Sequence, residues 1–411
     1  MPIVARLTAA ACAALLSAAP LVAGPVPVDG FQTEVSVTGY NNEPINTYSE
    51  NADFRKLGRG VGMLQIVHDA GQNPCTAFLV DEKHLLTNHH CIPGVLTDPR
   101  IGATKLISLT WVAGFLEPGR ADEAQRFVVK PDPVETSAEL DYTILEVEGV
   151  PTDLFPPLPL SDHEATEGMP YWIIGHPLGK SQHISREGCR AARPPIGPAP
   201  EFQGGVRLRH LCDTLGGNSG SPIIDSSSRQ VIGLHNSGIE KIGVNFGIPM
   251  ALILANSKVL KVTPPTPTPD GKPRPLPLIM SLFPKELGVG QELSVVADVP
   301  ETCTPAFVDI SPNRKLTPIP LEIFEKVELS KIQTRYQVTA TSTYGLEIQE
   351  EDEKGPHTIG YLCSSTNLDD AAQLKAALRQ VVAALGQGQM DGSVTLDSGT
   401  VNYSFGTYVV K

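Results

Sequence analysis

Short apolar runs separated by polar turns recur through the middle of the chain. Residues 77–80 and 85–86 flank the polar turn 81–83, a pattern that predicts two neighbouring β-strands. The apolar run 140–145 predicts another strand, and it is opened by an aspartate. Helical spacing of apolar residues appears at 250–260. The middle of the chain is therefore predicted to consist of strands, with a helix at its end.

A second set of elements follows a stretch with seven prolines at 264–278. Residues 293–297, 335–339 and 403–410 predict strands. One helix is predicted from apolar positions at helical spacing, with a capping residue before them and a glycine after them. The apolar face is Leu374, Leu378, Val381 and Leu385, the cap is Asn367 or Asp369, and the terminator is Gly386. We expect residues 263–278 to be a semi-rigid Pro-rich linker and 279–411 a separate small C-terminal domain, α+β or sandwich-like.

The first 24 residues have the composition of a secretory signal peptide. Arg6 precedes an alanine- and leucine-rich core, and small residues follow it at a suitable cleavage point. Cys12 would leave with this segment, and no later apolar stretch is long enough to span a bilayer. Residues 25–57 are polar and predict a pro-segment or an N-terminal arm. Two alternatives fit this composition: a pro-segment that is cleaved near Arg55 or Arg59, or an uncleaved arm that wraps the folded domain.

Charge and cysteine content narrow the class of protein. The formal net charge of −13 argues against nucleic acid as a partner, because no basic patch matches phosphates. Seven cysteines leave six after signal removal, an even number that suits disulfides in an oxidising compartment. No close Cys-x-x-Cys pair indicates zinc. We expect a secreted or periplasmic protein with neither a metal nor a cofactor.

The segment 216–222, Gly-Gly-Asn-Ser-Gly-Ser-Pro, holds a serine in a glycine-walled turn. A serine hydroxyl needs a base beside it to act as a nucleophile. The oxyanion that forms during attack needs backbone N–H groups aimed at it, and a glycine lets the backbone turn without a side chain in the way. Ser219 is the candidate nucleophile, and the N–H groups of Gly217 and Ser219 are the expected oxyanion hole.

A histidine and an aspartate complete the candidate catalytic set. His90 lies where a predicted strand ends, and a histidine can accept the serine proton because its pKa is near neutrality. His89 is the rival, but His90 directly precedes Cys91, which can tie this strand end to Cys75. Asp141 opens its strand and can fix the imidazole tautomer. The order along the chain is histidine, aspartate, serine.

These motifs resemble the trypsin-like (chymotrypsin-fold) serine endopeptidases, in the bacterial branch similar to glutamyl endopeptidases. The resemblance covers about residues 58–260. It implies an all-β fold of two six-stranded antiparallel barrels with the triad in the cleft between them. Asn218 departs from the animal digestive enzymes, so the chain is not expected to mature as they do. The matching segments are 75–80, 87–91, 141–145, 173–177, 216–222 and 231–235. The bridge Cys75–Cys91 matches the family, and Cys189–Cys212 and Cys303–Cys363 are the remaining expected pairs.

Family comparison also assigns a specificity pocket. Asp213 would be its floor, with Thr214 beside it, and His235, Ser237 and Gly238 would form the far wall. An acid at 213 favours Lys or Arg in the substrate, whereas Thr214 and His235 resemble glutamyl endopeptidases and favour Glu or Asp. Neutralisation of Asp213 by His235 and a purely structural Asp213 are further alternatives, and the acidic preference has two matching residues in its favour.

The motifs together predict an exported serine endopeptidase that cleaves protein or peptide substrates through an acyl-enzyme. The alternative is a catalytically idle, protease-like scaffold in a binding or adhesion protein. In that case the C-terminal domain would bind the unknown partner. A third interpretation is an esterase-like or self-processing activity of the same triad, with the C-terminal domain or the pro-segment as its natural substrate.

Overall fold

The computed structural model describes residues 3–5, 41–199, 205–264, 278–330, 333–364, 371–396 and 399–411. Most of the expected signal peptide with Cys12, most of the Pro-rich linker, and the helix caps Asn367 and Asp369 lie outside the described residues. Within the first 24 residues, the described part is the short strand β1 (Ile3–Ala5).

The described end of the N-terminal segment packs into the protein. It consists of strand β2 (Asn42–Pro44) and helix α1 (Asp53–Gly58). Ile45, directly after β2, and Phe54, in α1, are buried in the main hydrophobic core. Burial of large apolar side chains stabilises the fold, and residues 41–58 are called the N-terminal arm below.

The first barrel follows and is built from a seven-stranded antiparallel sheet. An isolated bridge between Val129 and Val147 joins β7 to β9. Six strands therefore close into a ring, and β8 adds an outer strand. Trp111 and Leu64 are fully buried inside it. The strands are β3 (Val61–His68), β4 (Gly71–Leu79), β5 (His84–Thr87), β6 (Leu106–Ala113), β7 (Gln125–Val128), β8 (Glu135–Ser137) and β9 (Tyr142–Glu146).

The second barrel has the same construction. Its eight-stranded sheet runs in the order β12-β13-β16-β15-β14-β10-β11-β2, and a bridge between Pro170 and Arg190 joins β10 to β12. Six strands again form the ring, while β11 and the arm strand β2 extend it. Helix α2 (Met250–Asn256) follows, shorter than the expected 250–260. The strands are β10 (Tyr171–Gly175), β11 (His183–Ser185), β12 (Ala191–Pro198), β13 (Val206–His210), β14 (Pro222–Asp225), β15 (Gln230–Ile239) and β16 (Val244–Pro249).

The C-terminal domain is a sandwich of a five-stranded and a six-stranded sheet with one helix, and β1 from the start of the chain adds a sixth strand to the first sheet, so both expected architectures have a part in it. Val295 and Tyr361, from opposite sheets, share its core. Its strands are β17 (Ile279–Phe283), β18 (Glu286–Leu287), β19 (Glu292–Pro300), β20 (Thr304–Ile310), β21 (Leu316–Ile319), β22 (Glu325–Ser330), β23 (Gln333–Val338), β24 (Tyr344–Glu347), β25 (Gly355–Ser364), β26 (Asp391–Leu396) and β27 (Gly399–Val410), and its helix is α3 (Ala371–Gly386). Strand β1 pairs with β24.

Further apolar residues of this domain join the main core of the barrels. Val381 of α3 and Phe405 of β27 belong to the same buried cluster as Phe54 and Trp172. The C-terminal domain therefore has its own core and is also packed against the two barrels.

Smaller features complete the fold. Short 3-10 turns occur at Ile45–Thr47, Gly94–Leu96, Pro151–Asp153, Pro177–Gly179, Glu240–Ile242 and Leu321–Ile323. The three expected disulfides are present, Cys75–Cys91, Cys189–Cys212 and Cys303–Cys363. Among the helices of the described residues, none has the length and apolar character needed to cross a membrane.

Candidate active site

The turn that carries Ser219 lies between β13 and β14, and its conformation depends on glycine. Gly217 has φ +99°, a region that side chains with a Cβ rarely adopt. A Cβ at this position would meet the carbonyl oxygen of His176 at 2.5 Å. Gly220, with φ +85°, similarly has no room beside the carbonyl oxygen of Thr76. The glycines are therefore required by the turn itself.

Thr76 on β4 holds this turn, and sequence reasoning did not single it out. Its backbone N–H donates to the carbonyl of Ser219 at 2.8 Å. Its hydroxyl donates to the carbonyl of Gly217 at 2.8 Å and accepts the N–H of His176 at 3.0 Å. The side chain is completely buried. The first barrel thus fixes the backbone on both sides of Asn218 through one threonine.

His90 and Asp141 are brought together at the end of β5 and the start of β9. The Nδ1 of His90 lies 2.9 Å from Oδ2 of Asp141, and the His90 N–H donates to Oδ1 at 2.9 Å. Asn236 donates its amide to the same carboxylate at 3.3 Å. Burial works against ionisation of Asp141, but the charge of His90 and these hydrogen bonds hold its pKa below the usual value. Asp141 is therefore a carboxylate at neutral pH.

His89, the rival base, points elsewhere. Its Nδ1 lies 2.9 Å from the hydroxyl of Thr136 on β8. Burial lowers the pKa of His89, an effect that the nearby Asp141 partly opposes. The described hydrogen bond to the Asp141 side chain is made by His90 and not by His89.

The Cys75–Cys91 disulfide brings the serine turn close to His90. The Sγ of Cys91 lies 4.0 Å from the carbonyl oxygen of Ser219. The side-chain donor atoms of Cys75, His90 and Cys91 all lie within 4.8 Å of one another. Because both sulfurs are taken up in the disulfide, this cluster offers no thiolates to a metal.

The candidate pocket floor, Asp213, faces the N-terminal arm. Its carboxylate accepts the N–H of Asn41 at 2.8 Å, and its carbonyl accepts the Asn42 amide at 3.1 Å. Its own N–H donates to the hydroxyl of Ser185 at 2.9 Å. The neighbouring Thr214 is fully buried, and its hydroxyl has no hydrogen-bond partner among the described residues.

His235 lies in β15, next to a second histidine, His210, that sequence reasoning missed. The Cys212 N–H donates to Nδ1 of His210 at 3.3 Å, so the neutral His210 carries its proton on Nε2. That nitrogen lies 3.1 Å from Nδ1 of His235. Burial, together with the nearby His235, holds the pKa of His210 far below its usual value. With His210 in this tautomer, Nδ1 of His235 is the acceptor of this hydrogen bond and Nε2 is the ring nitrogen that can donate.

The remaining wall residues lie on the same strand. Ser237 is buried and donates its hydroxyl to Oδ1 of Asn236 at 3.1 Å. The pairing register of β15 with β16 shifts between His235 and Ser237, a local irregularity that leads into Gly238. The backbone of His235 also pairs with the serine turn, through Gly220 and Ser221, at 2.9 Å each. The candidate wall and the nucleophile turn are thus directly connected.

Comparison with known proteins identifies the kind of domain in which these residues lie. Residues 75–234 match the family model of the trypsin-like peptidase domain. This segment is a trypsin-like serine peptidase domain. The matched segment contains His90, Asp141 and Ser219.

Individual relatives are distant. Secreted RxLR effector protein 73 of Plasmopara viticola is 25% identical over 207 residues, which is 48% of this chain and 50% of that protein. The chain thus spans about half the length of this curated relative. Among solved structures, a Glu endopeptidase is 16% identical with a TM-score of 0.42, covering 54% of this chain and 96% of its own. The active form of a protease from M. tuberculosis is 18% identical with a TM-score of 0.40, covering 60% and 97%. These similarities assign no substrate to the chain.

Proposed function

We propose that this protein is an exported serine endopeptidase in which Ser219, His90 and Asp141 form the catalytic triad. The observation that carries the proposal is the pair of hydrogen bonds from His90 to the half-buried carboxylate of Asp141. A carboxylate in this position fixes the imidazole with its proton on Nδ1. The lone pair on Nε2 is then available to a serine hydroxyl.

The reaction follows from these roles. His90 Nε2 takes the proton as Ser219 Oγ forms a bond to the substrate carbonyl carbon, and Asp141 stabilises the imidazolium. The tetrahedral intermediate collapses, the peptide C–N bond breaks, and the imidazolium gives its proton to the leaving amine. Water then attacks the acyl-enzyme with His90 again as the base, which releases the acid and restores Ser219.

The oxyanion is assigned to the N–H groups of Gly217 and Ser219. Support comes from the backbone of the turn, because Thr76 holds the carbonyls of these same two residues on the side of the first barrel. Hydrogen-bond donors fixed in advance stabilise developing charge without having to reorganise during the reaction.

We further propose a preference for Glu or Asp before the cleaved bond. His235 offers an Nε2–H donor, and the buried hydroxyl of Thr214 has no partner among the described residues. Two donors of this kind suit a substrate carboxylate. Asp213 is the residue that would favour Lys or Arg in the substrate, but its carboxylate accepts a hydrogen bond from the N–H of Asn41. Acidic specificity is therefore better supported than basic specificity.

Export to a secreted or periplasmic location is supported by the three disulfides, which form and persist in oxidising compartments. The signal-like composition of residues 1–24 supports the same assignment.

The test is cleavage of a mixed peptide library by the mature protein, with the Ser219→Ala variant as the blank. We expect cuts after Glu or Asp that disappear in the variant. Cuts after Lys or Arg would mean that Asp213, and not His235, determines the selectivity of the pocket. Absence of variant-sensitive cutting in correctly processed protein would overturn the proposal and favour the scaffold reading.

A further inference from the structure

We infer that Lys285 and Asp298 of the C-terminal domain are positioning residues for the specificity pocket. They act through residues 186–190, which we call the clamped segment, and through the N-terminal arm. The inference rests on the proposed function, since it concerns the same pocket.

The clamped segment connects β11 to β12, and charged side chains of the C-terminal domain form ion pairs with it. Arg186 donates to Asp391 at 2.8 Å, and Glu187 accepts Lys285 Nζ at 2.5 Å. Backbone contacts run alongside, since the Gly188 N–H donates to the carbonyl of Met280 at 3.1 Å. These contacts fix the first half of the segment.

The second half of the segment is held by Asp298. Arg190 lies 3.5 Å from the Asp298 carboxylate, which also receives Arg335 at 2.7 Å and 3.0 Å. The side chain of Asp298 is only 2% exposed. The side chains of Arg186 and Glu187 are each 3% exposed. Charges this deeply buried are stable only with their partners, so loss of one partner disturbs the other.

The clamped segment leads directly to the pocket. Cys189, inside it, forms a disulfide with Cys212, which precedes Asp213 and Thr214 in the chain. The Leu211 N–H also donates to the carbonyl of Arg190 at 2.9 Å. A displacement of residues 186–190 is therefore passed to residues 212–214 through a covalent link and a hydrogen bond.

A second route runs from Lys285 through the arm. Besides Glu187, Lys285 pairs with Glu43 of the arm at 3.1 Å. Glu43 lies in β2, which pairs with β11, and two residues earlier the Asn41 N–H binds the Asp213 carboxylate. Lys285 thus lies where both routes to the pocket begin.

The experiment compares full-length Lys285→Met with Lys285→Arg and with the exposed control Lys315→Met. Kinetics use a peptide with Glu before the cleaved bond, and hydrogen exchange is measured on the amides of residues 212–214. For Lys285→Met we expect KM to rise by about 10-fold or more with kcat nearly unchanged, because ground-state positioning is lost while the triad is not. Exchange at 212–214 should accelerate by a similar factor. Lys285→Arg and Lys315→Met should match the wild type.

The proposal is overturned if folded Lys285→Met shows unchanged KM and exchange. If Lys285→Met does not fold, two other variants are measured instead. They are Asp298→Asn and the double variant Glu187→Gln/Lys285→Met, in which the Glu187 charge is removed together with its lysine partner. Normal exchange at 212–214 in both would equally overturn it. The exchange measurement does not need turnover, so it judges the coupling even if the wild type cleaves no peptide and the proposed function fails.

Discussion

The two barrels hold their parts of the candidate site in different ways. His90 and Asp141 are fixed within the first barrel by local strand ends, the Cys75–Cys91 bridge and mutual hydrogen bonds. The pocket residues of the second barrel are fixed from a distance, by the arm and by the C-terminal domain. The candidate catalytic pair is therefore held mainly within the first barrel, with one further hydrogen bond from Asn236 of the second, whereas the candidate pocket is held by contacts from several parts of the chain.

The difference indicates which changes should act on rate and which on selectivity. A change at the catalytic pair removes chemistry common to every substrate. A change in the supports of the pocket alters how one side chain is received. Variants can test whether the two halves separate in this way.

Replacement of the histidines tests the catalytic half with the largest expected effect. For His90→Ala we expect kcat/KM to fall by about 10⁴-fold or more, because the general base is removed. His89→Ala is the matched control, since the His89 ring contacts the hydroxyl of Thr136 and not Asp141. Its kcat/KM should stay within about 10-fold of the wild type. The reverse ranking would transfer the base to His89.

Thr76 links the two halves, and its removal should affect stability as well as rate. Thr76→Val leaves the Gly217 carbonyl and the His176 N–H without their buried partner, at a cost of about 2–4 kcal/mol in the free energy of unfolding. Thr76→Ser keeps the hydroxyl and is the control. Denaturant unfolding of both variants in a Ser219→Ala background gives the comparison free of self-digestion. Equal stability of the valine and serine variants would contradict the assigned role.

The candidate pocket is tested by replacing each of two candidate specificity residues in turn. In His235→Gln we expect the preference for Glu over neutral residues to fall by about 10–100-fold, the range of one lost charge-assisted hydrogen bond. Asp213→Asn keeps an oxygen that can accept the Asn41 N–H and should change this preference much less. Ratios of kcat/KM across matched peptides measure both. A larger effect at Asp213 would restore the alternative of a basic specificity.

Much of the fold followed from local patterns. The strand pair around residues 81–83, the strand after Asp141 and the end of α3 at Gly386 were predicted from apolar spacing and turn residues, and the structure has them. Family resemblance supplied the two barrels and the Cys75–Cys91 pair, and the positions of the other four cysteines in the chain supplied the remaining two pairs. In both cases the signal lies within a few consecutive residues or a known motif.

The missed features depend on contacts between residues far apart in the chain. His210 meets His235 across 25 residues, and Thr76 meets Gly217 across 141. The ion pairs of Arg186 and Glu187 join segments about two hundred and about one hundred residues apart. A lone threonine or histidine in a strand has no local signal for such a partner, because contacts between distant segments are set by tertiary packing.

The smallest effect concerns the acid stability of the catalytic half. The pKa of Asp141 is depressed in the folded protein, so its contribution to stability is present above the ordinary aspartate pKa of about 3.9 and is lost as the pH falls through the folded value. We expect the free energy of unfolding of Ser219→Ala to drop more steeply below about pH 4 than that of Ser219→Ala/Asp141→Asn, which has no carboxylate to protonate there. Denaturant unfolding at a series of pH values from neutral to acidic measures the difference. Parallel curves would mean that His90 and its hydrogen bonds do not stabilise the Asp141 carboxylate.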